Sequence, residues 1–271
     1  MLFRSNREHQ GVLYYRCPAF DDTGVTHGFS SRVGGISPQP WDSLNLGSTL
    51  GDDPVRVREN FRLFCTAIGA DTGALVKNHQ VHGDLVRAVT RDDILSDPSQ
   101  PGTFDADGLI TDVPGLCLTV FSADCVPVLL WDPVKRVAAA VHSGWRGTAL
   151  GIAARAAEQM RSDYGSAPGD ILAAIGPSIG RCCFETHSDV PDGLQEGLGA
   201  DAAPFIRPTS ASGKFLVDLK GANLRWLERA GVKREHIAVS TACTACTAEH
   251  FWSHRRLGTQ RGSMASMIQI L

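Results

Sequence analysis

Between Gly108 and His142, four apolar runs rich in β-branched residues follow one another, at 108–111, 116–122, 126–131 and 137–142. Only short breaks containing Gly, Pro or Asp separate them. Such runs read as buried strands, and no gap among them is long enough for a helix. Sheet must therefore be the centre of the fold. Helical patterns flank this region. Asp52-Asp53-Pro54 supplies cap acceptors and a first-turn proline, after which Val55, Val57, Phe61, Phe64 and Ile68 recur at helical intervals. Further helices are predicted over 148–160 and 218–230, the second ended by Gly231. Strands are predicted at 75–77, 85–89, 171–175, 237–240 and 264–270. The polar stretches 158–167 and 192–212 read as surface loops. Tandem strands with isolated helices predict an α+β layered fold with mixed sheets, not regular βαβ winding. No repeat, low-complexity tract or linker divides the chain, so residues 1–271 are expected to form a single domain.

The residues are 43% hydrophobic and 20% charged, ample for a core. A formal charge of −3 gives no electrostatic footprint for nucleic acid. No apolar run approaches the roughly 20 residues needed to span a bilayer. The segment Met1–Gln10 lacks the apolar core of a signal peptide. A cytoplasmic protein, monomer or homodimer, is the expectation. Its eight cysteines are then read as thiols. Cys65 and Cys117 fall within apolar patterns and are expected in the core. Cys243-Thr-Ala-Cys246 is an isolated C-x-x-C. The vicinal Cys182-Cys183 does not have the spacing of a second pair, so packed thiols are expected there.

Three segments concentrate the chemistry: Asn78-His79-Gln80-Val81-His82-Gly83, Ser122-Ala123-Asp124-Cys125-Val126-Pro127 and Val141-His142-Ser143-Gly144-Trp145-Arg146-Gly147. The last two follow strand-like runs, and strand ends can aim polar side chains into one cleft. His82, Cys125 and His142 make a two-nitrogen, one-sulfur set suited to zinc with the fourth position open. Each has a plainer reading. Cys125 alone reads equally as a packed thiol, and His82 alone is a loop residue. His142, at a strand end before a glycine turn, faces a cleft more often than a core. His79 falls on the other side of an extended segment from His82. Arg146, beside Ser143, Gly144 and Gly147 at a helix start, can bind phosphate or carboxylate, or form a structural ion pair. Arg32 occupies a comparable Gly/Ser loop, and Asn45 offers an amide that reads a base or sugar hydroxyl or makes a turn. Dinucleotide and P-loop glycine motifs are absent, as are G-x-S-x-G, H-E-x-x-H and the zinc deaminase signature.

With these residues in hand, the chain resembles the laccase-domain family, whose members are labelled polyphenol oxidase, purine nucleoside phosphorylase or peptidoglycan editing factor. The resemblance runs from about Thr26 to the C-terminus. Its landmarks include 28–37, 43–47, Gln80-Val81-His82-Gly83, Ala106-Asp107-Gly108, Ala123-Asp124-Cys125, 141–147, 175–180, Cys246-Thr247, 251–256 and 261–265. Ser31, Ser143 and His254 depart from its commoner Thr, Ala and Tyr. The resemblance implies zinc on His82, Cys125 and His142, with copper as the other metal it records. It also implies an α/β sandwich similar to a bacterial toxin deamidase fold.

The implied activity is of purine nucleoside phosphorylase or adenosine deaminase type, on adenosine, inosine, guanosine or methylthioadenosine. Purine nucleoside and phosphate would be the small-molecule partners, with neither nucleic acid nor membrane involved. Arg32, Asn45 and Arg146 are the expected substrate contacts, and Asp124 and His79 the expected acid/base groups. The alternatives are a zinc amidase editing nucleotide-linked muropeptides, a copper-dependent phenol oxidase, a metal-free Cys125 nucleophile with His142 as base, and a non-enzymatic zinc-binding protein.

Overall fold

The structure is a computed structural model that describes residues 6–271; residues 1–5 of the Met1–Gln10 segment lie outside them. Two six-stranded mixed sheets form the centre. One runs β1 (Asn6–His9), β2 (Val12–Tyr15), β3 (Val25–Ser30), β15 (Met264–Ile270), β7 (Cys117–Ser122), β4 (Leu75–Lys77). The other runs β14 (Ile237–Val239), β10 (Leu172–Ile175), β8 (Val126–Asp132), β9 (Val137–Ser143), β6 (Gly108–Thr111), β5 (Val86–Ala88). A small antiparallel ribbon of β11 (Glu185–Thr186), β13 (Phe215–Val217) and β12 (Ile206–Pro208) lies apart.

The expected α+β layering is found, and alternation along the strands explains it. Successive side chains of a strand face opposite ways. In β9, Ala138 and Ala140 join Phe29, Leu118, Val120, Leu129, Trp131 and Ile268 in a core between the sheets. Their neighbours Val137, Ala139 and Val141 face outward onto α3 (Ile152–Tyr164) and α5 (Leu219–Arg229). On the far side, Leu75, Cys117, Ala265 and Met267 of the first sheet pack on Val57, Phe61, Phe64 and Ile68 of α1 (Pro54–Ile68). The order is thus helix, sheet, sheet, helix. In β9 small alanines on both faces leave room for the larger Phe29 and Trp131 between the sheets and for Met160 and Leu227 of the helices outside.

Helix α1 begins as expected: the Asp53 side chain accepts from Val55 N at 2.9 Å, and Gly69 closes the helix at φ 75°. Helix α5 begins under the Asp218 side chain and is followed by Gly231 at φ 90°. Three expectations change. The 148–160 helix is broken into α2 (Trp145–Ala149) and α3 by Gly151, whose φ is 76°. A Cβ on Gly151 would lie 3.1 Å from the Trp226 ring, so only glycine permits this close turn. Helix α3 then continues through 158–164, where a loop was expected, because its polar side faces solvent while Ala156, Ala157 and Met160 are buried. Likewise 192–212 carries most of α4 (Asp189–Leu198) and β12, with Leu194 and Leu198 buried. Cys65 and Cys117 are fully buried, as predicted. Among the described residues, no helix is long and apolar enough to cross a membrane.

Candidate metal centre

Several connections pass between the sheets, and two of them meet at the same end. Strand β7 leaves the first sheet and β8 enters the second through Ala123-Asp124-Cys125, a turn tight enough to place Asp124 at φ 92°. Strand β4 passes to β5 through the segment holding His79 and His82, with His82 at φ 60°. Non-glycine residues in this region are held only where surrounding contacts over-determine them, a pattern common at functional sites. Antiparallel pairing of β8 with β9 sets Pro127 opposite His142, which delivers the imidazole to the same end.

Three distant segments therefore converge. One donor atom from each of His82, Cys125 and His142 lies within 4.8 Å of the others. Cys125 Sγ is 4.0 Å from His82 Nε2, and the two imidazole rings stand nearly perpendicular at 88°. Zinc bonds of about 2.0 Å to nitrogen and 2.3 Å to sulfur in a tetrahedron require an N···S separation of about 3.6 Å. A small contraction of the observed trio meets that requirement, so the donor set fits a metal ion.

Asp107 organises this centre. It is fully buried, and its Oδ1 accepts from His142 Nδ1 at 2.8 Å. That bond fixes the tautomer and leaves Nε2 for a metal, the usual carboxylate–histidine–metal arrangement. The same carboxylate accepts from the backbone N–H of Val81, His82 and Gly83, at 3.2, 3.1 and 2.7 Å. One buried charge thus orients one candidate ligand and the loop that carries another. Burial works against ionisation of Asp107, but these bonds outweigh it and hold its pKa below the usual range. Asp107 follows no periodic signal; only its place in Ala106-Asp107-Gly108 marked it in the sequence.

Gly144 caps the trio. A Cβ there would lie 2.9 Å from His82 Cδ2 and 3.5 Å from Cys125 Sγ. Gly144→Ala must displace the His82 ring, and metal affinity is expected to fall about 10-fold or more, the scale of a perturbed ligand orientation. A chelator competition titration checks this; unchanged affinity in a folded variant rejects the crowding argument.

The trio opens on a cavity of about 650 Å³. A family model described as multi-copper polyphenol oxidoreductase laccase matches residues 26–271. The chain belongs to this laccase family. Among its relatives, one named purine nucleoside phosphorylase YlmD, from Geobacillus stearothermophilus, is 37% identical over 267 residues, covering 98% of this chain and 95% of that protein. A Bacillus subtilis protein of the same name is 33% identical over 247 residues, covering 90% of this chain and 88% of its own. The crystal structure of the Bacillus licheniformis hypothetical protein YfiH superposes with a TM-score of 0.91 at 34% identity, over 99% of both chains.

In this laccase-family protein the other expected site residues are placed unevenly. His79 and Asp124 line the cavity. His79 is exposed, with Nδ1 at 2.7 Å from Asp105 Oδ1. Asp124 is buried: Oδ1 accepts from Thr244 Oγ1 at 2.6 Å, and Oδ2 from Ser253 Oγ at 3.0 Å and Arg255 N at 2.7 Å. Arg32, Asn45 and Arg146 do not line it. The Arg32 guanidinium stacks 3.8 Å over Trp252 and donates to the carbonyls of Asp42 and Ala248. Asn45 is wholly buried and braces Gly47 and Ser263 through its side chain. Arg146 points onto Trp145, 4.3 Å from its centroid.

Cavity cations that sequence reasoning passed over are Lys77, Arg255 and Arg261. Lys77 donates to Pro98 O at 2.6 Å, and its burial lowers its pKa to about 8 despite Asp97. Arg261 donates to Gly262 O and Ser263 Oγ, and burial lowers its pKa against the pull of Asp124 and Cys125. Neither the Arg255 nor the Arg261 guanidinium has a carboxylate within ion-pair distance among the described residues, and Arg255 Nη1 donates to the carbonyls of Cys183 and Glu185 at 3.0 Å.

Proposed function

We propose that this protein is a zinc enzyme of purine nucleoside phosphorolysis. The observation that carries the reading is the junction of the trio with a cavity holding Arg255 and Arg261 without carboxylate counter-ions. Such a wall suits an anion, and guanidinium groups suit phosphate. The names of the relatives favour the same class. His82, Cys125 and His142 would hold the ion, and zinc bound there would supply a Lewis acid to the open side of the cavity.

The chain's own residues account for the rest. Arg261 and the hydroxyls of Ser48, Thr49 and Ser263 bind phosphate. Phe121, Ile179 and Phe184 give apolar walls for the purine. A phosphate oxygen forms a bond to ribose C1′ as the C1′–N9 bond breaks, and the departing base takes the electron pair and a proton. Positioning both reactants supplies much of the rate. The His79–Asp105 pair is the proton donor in this reading, because His79 is cavity-facing and partnered. Asp124 acts by position: its oxygens are engaged by Thr244, Ser253 and Arg255, and it sets the turn that presents Cys125.

The test is a panel of adenosine, inosine, guanosine and methylthioadenosine with and without phosphate, products identified by mass spectrometry. Phosphate-dependent release of free base with ribose 1-phosphate is expected. Turnover that ignores phosphate, whether deamination, amide hydrolysis or phenol oxidation, rejects phosphorolysis. Arg261→Ala is expected to raise KM for phosphate about 10- to 100-fold, the worth of a charge-assisted hydrogen bond. An unchanged phosphate KM removes Arg261 from the anion site.

A further inference from the structure

The cysteines Cys182, Cys183, Cys243 and Cys246 gather outside the trio, and nothing in the reaction above uses them. Each offers a sulfur, and all four sulfurs lie within 4.8 Å of one another. Cys246 Sγ is 3.6 Å from Cys182 Sγ and 3.3 Å from Cys183 Sγ. We propose that this cluster is a second metal site, a tetrathiolate that takes zinc and ties the loop after β10 to the loop after β14.

Zinc–sulfur bonds of about 2.3 Å in a tetrahedron set sulfurs about 3.8 Å apart. Two of the cluster's separations, 3.6 and 3.3 Å, fall a little below that value, and all lie within 4.8 Å, so a small adjustment of the thiols meets it. A disulfide would need about 2.05 Å between two sulfurs and leave the other two cysteines without a role. The vicinal pair, whose spacing argued against a metal site, serves both sulfurs because of its backbone. Residues 181–183 form a turn in which Cys183 N and Phe184 N both donate to Gly180 O at 3.0 Å. That turn folds both side chains toward Cys246.

The surroundings suit thiolates. Gly180 N donates to Cys243 Sγ at 3.2 Å, a backbone bond that steadies a coordinating sulfur. The buried Lys220 ammonium donates to Ser240 O and Ala242 O, in the approach to Cys243, and so places a positive charge beside the cluster. Four protein ligands leave no open position, which marks a structural site, unlike the trio.

Its place in the fold gives it a purpose. The loop after β10 reaches the cavity through Ile179, and it already touches the loop after β14: Thr244 N donates to Ser178 O at 3.1 Å. Ile179 N donates to Asp124 O at 2.9 Å, and Thr244 donates to its carboxylate. Zinc on the four sulfurs would lock both loops against the turn that carries Cys125.

Metal analysis of the untagged full chain, purified under reducing conditions, tests this. Two zinc equivalents per chain are expected in the wild type, one in His82→Ala/Cys125→Ala and one in Cys243→Ser/Cys246→Ser. Cobalt loaded into His82→Ala/Cys125→Ala should show the intense visible absorption of an all-sulfur site. That protein keeps the cluster intact, so it decides the matter even if the Cys243/Cys246 variant fails to fold. Loss of all metal from His82→Ala/Cys125→Ala, or cobalt there without the thiolate signature, overturns the proposal. So does a mass lower by two hydrogens, which reports a disulfide. None of these results depends on turnover, so phosphorolysis stands or falls separately.

Discussion

Cys125→Ser is expected to strip the trio of its metal and to lower kcat/KM by at least about 10³-fold, since a bound ion contributes several kcal/mol of charge stabilisation. Cys125 is the one sulfur of the set, and serine oxygen is a poor replacement for thiolate at a zinc site. The pH dependence of metal binding provides a second readout. Burial opposes a Cys125 thiolate, yet the charges and hydrogen bonds of His142 and His82 outweigh it and bring the metal-free thiol to about 6. Burial likewise opposes a charged His142, yet Cys125 and Asp107 raise it to about 9. The metal-free pair is thus thiolate and imidazolium near neutrality, and it titrates as a pair.

Binding requires the thiolate and a neutral imidazole. Below about 6 a proton competes at sulfur, and up to about 9 one competes at His142, so affinity must climb across that window as pH rises. Zinc titration against a competing chelator over that range measures the climb. Alkylation of the metal-free thiol should quicken through its lower end, and zinc should protect it. A flat affinity, or full turnover by a zinc-free Cys125→Ser protein, would falsify the assignment.

Asp107→Asn is expected to weaken metal binding about 10- to 100-fold, because an amide keeps the shape and one acceptor oxygen, but its NH2 faces N–H donors of Val81 and Gly83 or of His82 and His142 and no longer enforces the tautomer. Asp107→Ala should do more. It leaves three backbone N–H groups of 81–83 and a buried imidazole without their acceptor. Removing one partner of a buried charged pair destabilises by about 3–5 kcal/mol. Denaturant unfolding separates the two variants: both should lose metal affinity, and Asn, which keeps one acceptor oxygen, should lose less stability than Ala. Equal stability for Ala and wild type rejects the view that this carboxylate holds the loop.

Much of the scaffold was legible because short apolar runs with alternating environments admit few structures. Strands β6 to β9 and β15 lie where their periodicity put them, and α1 starts at its cap and proline. The two loop errors have one cause. At 158–164 and 192–198, polar residues on one helical face outweighed the buried face opposite, and polarity read locally looks like loop. The trio was legible for a different reason. Each candidate ligand sits at a strand end or glycine turn, and local sequence records such junctions.

Local pattern determined the strands, the caps and the three candidate ligands, since backbone preference and burial periodicity act over a few residues. Tertiary structure alone decided what those ligands face. It turned Arg32 onto Trp252 and Arg146 onto Trp145, brought Arg255 and Arg261 into the cavity, set Asp107 under His142, and closed four cysteines separated by some sixty residues into one cluster. Those choices depend on strand order and crossover path, and chain proximity in space is not encoded in the spacing of residues along it.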